Sequence, residues 1–167
     1  MPIKELDTPY PVIDTDPHFR RVVRYMRPTD YAAWAAGTAA APALLYGMEK
    51  MDPAGPIRNL RVPLKIATVI GAFGGFLLAY QNSSLRFWGW KENAVEVEKD
   101  KAEMSQLIAE GKRIYGESYM PEHIQDTAAR VSRFSQLKFG IMPWFNFSNH
   151  SNHGVDLSKY ATTTKNE

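Results

Sequence analysis

From Ile66 to Leu85 the chain runs twenty residues without a charged side chain, inside the stretch KIATVIGAFGGFLLAYQNSSLRFWGWK. A helix rises about 1.5 Å per residue, so that length covers about 30 Å, the hydrocarbon thickness of a bilayer. At its exit Arg86, Phe87, Trp88, Trp90 and Lys91 mix cations with amphipathic aromatics, the residue types that sit at headgroup level. The strongly apolar part is only Ile66 to Tyr80, because Gln81, Asn82, Ser83 and Ser84 are polar, and a buried core helix is the competing reading. Snorkelling of Lys65 extends the apolar register back to Val62, which favours a span.

A second uncharged stretch of eighteen residues, YAAWAAGTAAAPALLYGM, runs from Tyr31 to Met48. It is alanine-rich and weakly apolar, and Pro42 lacks a backbone donor, so a kink is expected in its second half. Alone it would insert poorly. Beside another helix it makes sense: Ala33, Gly37 and Ala41 recur every four residues, and Gly71 and Gly75 form a GxxxG on the later stretch. Small residues at that spacing let two backbones approach closely. Alanine's helix propensity produces the same spacing from composition alone, and a neighbouring subunit could use either face. The expected fold is mostly α, a two-helix transmembrane hairpin with an extended N-terminal segment, amphipathic helices after it and an irregular C-terminal tail. Residues 1–29 form the extended segment with its arginine cluster, and 30–90 the hairpin, with spans near 31–48 and 66–85. Residues 91–139 form the amphipathic region and 140–167 the tail.

Prolines at 2, 9, 11 and 17 keep the N-terminal segment out of a helix. RRVVRYMR then places Arg20, Arg21, Arg24 and Arg27 just before the first span, where arginines set topology and suit anionic headgroups or partner carboxylates. With Arg86, Trp88, Trp90 and Lys91 they make the expected set of lipid or headgroup contacts. The connection DPAGPIRNLRVP is rich in turn formers. Seven Lys and Arg flank the spans on the terminal side and four on the loop side, which puts both termini on the negative side of the membrane. Beyond Lys91, Val97, Met104, Leu107, Ile108 and Tyr115 fall near helical spacing. A second amphipathic helix opens at Pro121 and Glu122, with Ile124, Ala128, Val131, Phe134 and Leu137 on one face. Trp144, Phe145 and Phe147 have no period and suit docking onto a protein or membrane surface.

Little in the chain suggests chemistry of its own. There is no cysteine, so disulfides, thiolate metal sites, iron–sulfur ligation and cysteine nucleophiles are all excluded. A net charge of +2 and a negative mean hydropathy mean that the chain outside the two stretches is polar. Lysines and arginines are nearly matched by acids, so nucleic acid is not an expected partner. GAFGG lies in an apolar run without a following Lys and Ser/Thr, and helix packing explains it better than a phosphate loop. Neither span carries an interior ionisable residue, which disfavours an ion pathway. His150 and His153 in NHSNH have chelating spacing, but no cysteine or well-placed acid completes a site. No catalytic, cofactor or metal residue and no small-molecule substrate is expected. A small enzyme using Glu122, His123 and His150 stays open and would need a concave pocket. No secretory signal or Arg-rich transit peptide is visible at the start, so targeting information is expected to be internal.

The opening MPIKELDTPYPVIDTDPHFRRVVRYMRPTDY, the alanine-rich stretch, the exit LRFWGWKEN and the late LKFGIMPWFNFSNHSNHG resemble the fungal 21 kDa accessory subunit family of mitochondrial complex I, NADH:ubiquinone oxidoreductase. The resemblance covers nearly the whole chain. It implies a supernumerary subunit of the membrane arm in the mitochondrial inner membrane, multi-pass and without redox cofactors, that supports assembly and stability. Its partners would be other membrane-arm subunits and phospholipid, with cardiolipin the candidate lipid, and the positive-inside count would put both termini in the matrix. A membrane-anchored assembly factor or scaffold that associates only transiently would share every one of these features.

Overall fold

A computed structural model describes residues 7–52, 59–134, 145–156 and 160. Pro2, the stretch 53–58 expected to turn, Leu137 and Trp144 lie outside them. The described residues form five helices and no strand: α1 (Phe19–Arg24), α2 (Pro28–Met51), α3 (Arg61–Phe87), α4 (Ala94–Ala109) and α5 (Glu122–Ser132). They divide into two compact units, Met26–Asn82 and the combination of Met1–Tyr25 with Ser83–Glu167.

The Met26–Asn82 unit is built from α2 and most of α3. Pro28 sits in the first turn of α2, and the Arg27 backbone N–H donates to Asp30 Oδ2 at 2.8 Å, so the helix start is closed locally. The helix runs unbroken through Pro42 to Met51. Pro42 has no N–H for the Thr38 carbonyl, and a Cβ added at Gly71 would meet that oxygen at 3.0 Å. The same Cβ would lie 2.8 Å from the Gly37 carbonyl and from Ala41 Cβ. At Gly75 an added Cβ would come within 2.7 Å of the Trp34 carbonyl, and at Gly37 within 3.0 Å of Gly75 Cα. The two backbones are therefore in contact where only glycine fits. Trp34 closes this contact, with Nε1–H donating to the Ala72 carbonyl at 2.8 Å and its ring edge-on to Phe76 at 5.2 Å.

α3 is the one described helix long and apolar enough to cross a membrane, and only 17% of its apolar stretch is buried within the chain. Val62, Ile66, Val69, Ile70, Phe73 and Leu78 are exposed along it. The alanine-rich α2 is long enough but too weakly apolar to qualify, because a methyl side chain removes little surface from water. A hairpin of two spans is therefore not established; one candidate span is.

In the other unit the extended N-terminal segment is tied down. Tyr10 N–H donates to the Gly89 carbonyl, Ile13 N–H to Phe87, Thr15 N–H to His153 and Phe19 N–H to Asn146. Gly89 has φ +72°, and a Cβ there would meet the Tyr10 carbonyl at 2.3 Å, so glycine is required both by the turn and by the neighbour. Asn93 Nδ2 donates to the Pro11 and Arg86 carbonyls at 2.8 and 2.7 Å. Ile13, Val22, Tyr25, Phe87, Trp88, Met104 and Phe134 are the apolar filling.

Two sequence expectations change here. α4 ends at Ala109, where Gly111 turns left-handed at φ +66°, so Tyr115 lies past the helix; its buried line is Glu96, Asp100 and Met104. In α5 the buried positions are Ala129 and Ser132, whereas Ile124 and Val131 are exposed and Phe134 follows the helix. On α4 the expected stripe does face inward, with Met104 buried and Val97, Leu107 and Ile108 half-buried, and Glu96 and Asp100 share that face. α5 alone is turned, with Ser132 facing inward in place of Ile124 and Val131.

Gly75→Ala is expected to lower stability of the full chain in detergent by about 1–3 kcal/mol, because the added methyl meets backbone and the helices must separate. Gly47→Ala, where nothing lies within 4 Å, should be neutral or slightly stabilising. Equal denaturation midpoints for the two variants would contradict this packing.

Candidate functional site

The acids of the N-terminal segment and the histidines of the C-terminal loop converge in one buried network. Asp14 and Asp16 flank Thr15 in a bend where the Asp16 N–H donates to Asp14 Oδ1 at 2.9 Å, and all three are at most 3% exposed. His153 Nδ1–H donates to Asp14 Oδ1 and His150 Nε2–H to Asp16 Oδ2, each at 2.8 Å. The two imidazoles stack at 4.4 Å, and the Tyr115 ring stacks on His153 at 3.6 Å. His153 Nε2 also lies 2.9 Å from the His150 carbonyl, so both its ring nitrogens face acceptors. Ser132 donates its hydroxyl proton to Asp16 Oδ2, which is how α5 joins the cluster.

Arg21 links this cluster to α4. Its Nη1 donates to Asp14 Oδ2 at 2.8 Å and its Nη2 to Asp100 Oδ1, while Tyr160 donates to Asp100 Oδ2 at 2.5 Å. The guanidinium carbon lies 5.5 Å from the Phe87 ring centre and 5.8 Å from that of Tyr25. Burial alone would raise the Asp14 pKa, but the charge and hydrogen bond of His153, the charge of Arg21 and the Asp16 N–H outweigh it and hold the carboxyl below its ordinary value. Burial, with Asp14 and Asp100 nearby, pushes the Tyr115 phenol up, so it stays a neutral hydroxyl. A second buried ion pair, Arg86 Nε and Glu96 Oε1 at 3.0 Å, fixes the start of α4 on the end of α3.

These positions correct several expectations. Arg21, Arg86 and Trp88, read as headgroup contacts, are 7%, 5% and 4% exposed, and both arginines are paired with carboxylates inside the chain. Arg20 and Arg24 remain on the surface, Arg24 with its Nη2 2.6 Å from Glu103, and Trp90 and Lys91 are exposed. Arg27 is half-buried at the start of α2. Of the small residues, Gly37, Ala41, Gly71 and Gly75 lie at the α2–α3 approach, and Ala33 is half-buried on α2. His150 is buried on Asp16, whereas Glu122 and His123 are exposed on α5; no bond brings the three together among the described residues. Nor, among the described residues, do three His, Asp or Glu side chains form a set that could hold a metal. Asp14, Asp16 and Asp100 were not singled out in the sequence; the signal was the alternation of acids in VIDTD, in a segment too short of apolar residues to be anchored otherwise.

A family model for the complex I 21 kDa subunit of NADH-ubiquinone oxidoreductase matches residues 7–92, and a second, for the C-terminal part of the same subunit, matches 101–167. The NADH-ubiquinone oxidoreductase 20.9 kDa subunit of Neurospora crassa is 50% identical over 165 residues, covering 98% of this chain and 87% of that protein. The chain belongs to the complex I 21 kDa subunit family. The two matched segments do not correspond to the two structural units: Asp14 and Asp16 of the first are bound by His153 and His150 of the second.

Above the ordinary Asp14 value of 3.8 its ionised form contributes fully to stability, and that contribution fades as pH falls through the lowered native value. Asp14→Asn should therefore cost up to about 3–5 kcal/mol at pH 7, by leaving Arg21 with one carboxylate, and should flatten the loss of stability below pH 4. Denaturant midpoints of the two proteins from pH 7 to pH 2 check this; parallel acid limbs would contradict it.

Proposed function

We propose that this chain is a non-catalytic accessory subunit of the membrane arm of complex I in the mitochondrial inner membrane, supporting assembly and stability. The observation that carries this reading is a family match running the length of the chain. The structure supports it in two ways. α3 offers an apolar surface that the chain leaves largely uncovered, as a helix in lipid or against a neighbouring subunit requires. The buried ionisable groups of the other unit are engaged with one another and hold its segments together.

In this reading α2 crosses the membrane beside α3. Its weak apolarity is offset by close packing at Gly37, Gly71 and Gly75, and both termini lie on the matrix side, following the excess of cations there. Quantitative mass spectrometry across a blue-native gel of solubilised membranes should find the chain in fixed ratio with the complex I core subunits. Migration only with smaller assembly species would instead make it a transient assembly factor. Protease added from the intermembrane side of mitoplasts should leave the C-terminal tail intact, and cleavage there would reverse the orientation.

A further inference from the structure

Beside the buried network lies a cavity of about 140 Å³ between α1, the segment around Tyr115 and the loop at Ser148 and Asn149. It is smaller than the roughly 300–1,000 Å³ of drug-sized sites, and its size suits a single phosphate group. Arg20, Arg21 and Arg24 line it, against the single acid Asp14. Asp14 is consumed by Arg21 and His153, and Arg24 shares Glu103 through a mostly solvent-exposed side chain. The Arg20 guanidinium has no carboxylate partner among the described residues. Arg20 thus brings uncompensated positive charge to the wall, next to the solvent-exposed pair of Arg24 with Glu103, in the planar, multi-donor form that matches phosphate oxygens.

The rim supplies the second observation. Phe19 precedes Arg20 and Phe147 precedes Ser148, and their rings lie 5.0 Å apart, with Phe145 5.5 Å from Phe19. Phe147 is 67% exposed. An exposed aromatic group held beside arginines is the arrangement found at the boundary between headgroups and acyl chains.

The geometry points to a binding site for an anionic phospholipid, with the headgroup phosphate between Arg20 and Arg24 and the acyl region against Phe19, Phe145 and Phe147. This rests on the membrane reading above. A phosphatidylglycerol-type headgroup is favoured over a zwitterionic one because, among the described residues, the acids beside the cavity, Asp14 and Glu103, are already paired with arginines and a histidine.

Native mass spectrometry of the full chain in mild detergent tests it, with phosphatidylglycerol, phosphatidylcholine and inorganic phosphate titrated separately. Phosphatidylglycerol should bind at least tenfold more tightly than phosphatidylcholine. Arg20→Gln with Arg24→Gln should cut that binding at least tenfold and Phe147→Ser should weaken it, while Arg113→Gln, on an exposed residue outside the cavity, should leave it unchanged. Arg20→Lys with Arg24→Lys, which keeps the charge, should retain most of the preference. Equal binding of the two lipids, or unchanged binding in the double glutamine variant, would overturn the site. Displacement of the lipid by inorganic phosphate that binds alone would assign the cavity to a soluble phosphate. Unchanged lipid binding with loss of the double glutamine variant from the complex would assign it to an acidic partner segment. Alkaline carbonate extraction of the same membranes reports separately on anchoring, so a failed lipid site and a failed membrane reading give different results.

Discussion

The guanidinium of Arg21 sits between two aspartates that come from distant parts of the chain, Asp14 on the N-terminal segment and Asp100 on α4. Taking three charges out of water is costly, and only near-complete pairing offsets it. Asp14 is completed by His153 and Asp100 by Tyr160, and each of those lies far along the chain. Removing one member leaves the others buried and uncompensated. The N-terminal segment, α4 and the C-terminal loop therefore close together, as a set. The backbone hydrogen bonds at Thr15, Phe19 and Phe134 lie along the same segment and depend on that closure.

The two units are held by opposite chemistry. In Met26–Asn82, glycines bring helix backbones into contact, while the larger apolar side chains of α3 are left exposed. In the unit around Arg21 a modest apolar filling is joined by buried acids, histidines and arginines, and geometry is fixed by pairing more than by bulk. A subunit of a larger complex can use both. The apolar surface of α3 is open to a neighbour, and the polar part keeps a defined shape through its buried pairs.

What the sequence made legible follows the same division. The uncharged run at Ile66, the alanine-rich stretch before it and the four-residue spacing of Gly37, Gly71 and Gly75 are local and periodic, and the helices stand where those patterns place them. The charge network could not be read locally. His153 and Asp14 are 139 positions apart, and nothing in RRVVR distinguishes the buried Arg21 from the exposed Arg20. The inward face of α5 was misplaced, and the polar residues on that of α4 were missed, for the same reason. Asp100 and Ser132 look like solvent-facing residues until their distant partners are known, and the exposed Ile124 and Val131 look like core. Arg86 and Trp88 resemble an interfacial belt by composition, yet Glu96 and Phe134 draw them into the interior.

Amide hydrogen exchange on the full chain in detergent, comparing the native protein with Arg21→Met, tests the dependence on Arg21 most directly. Protection at Ile13, Thr15, Phe19 and Phe134 should fall together in the variant, while amides of α2 and of α3 up to Asn82 keep theirs. Unchanged protection at those four amides would show that the segment is held without the buried arginine.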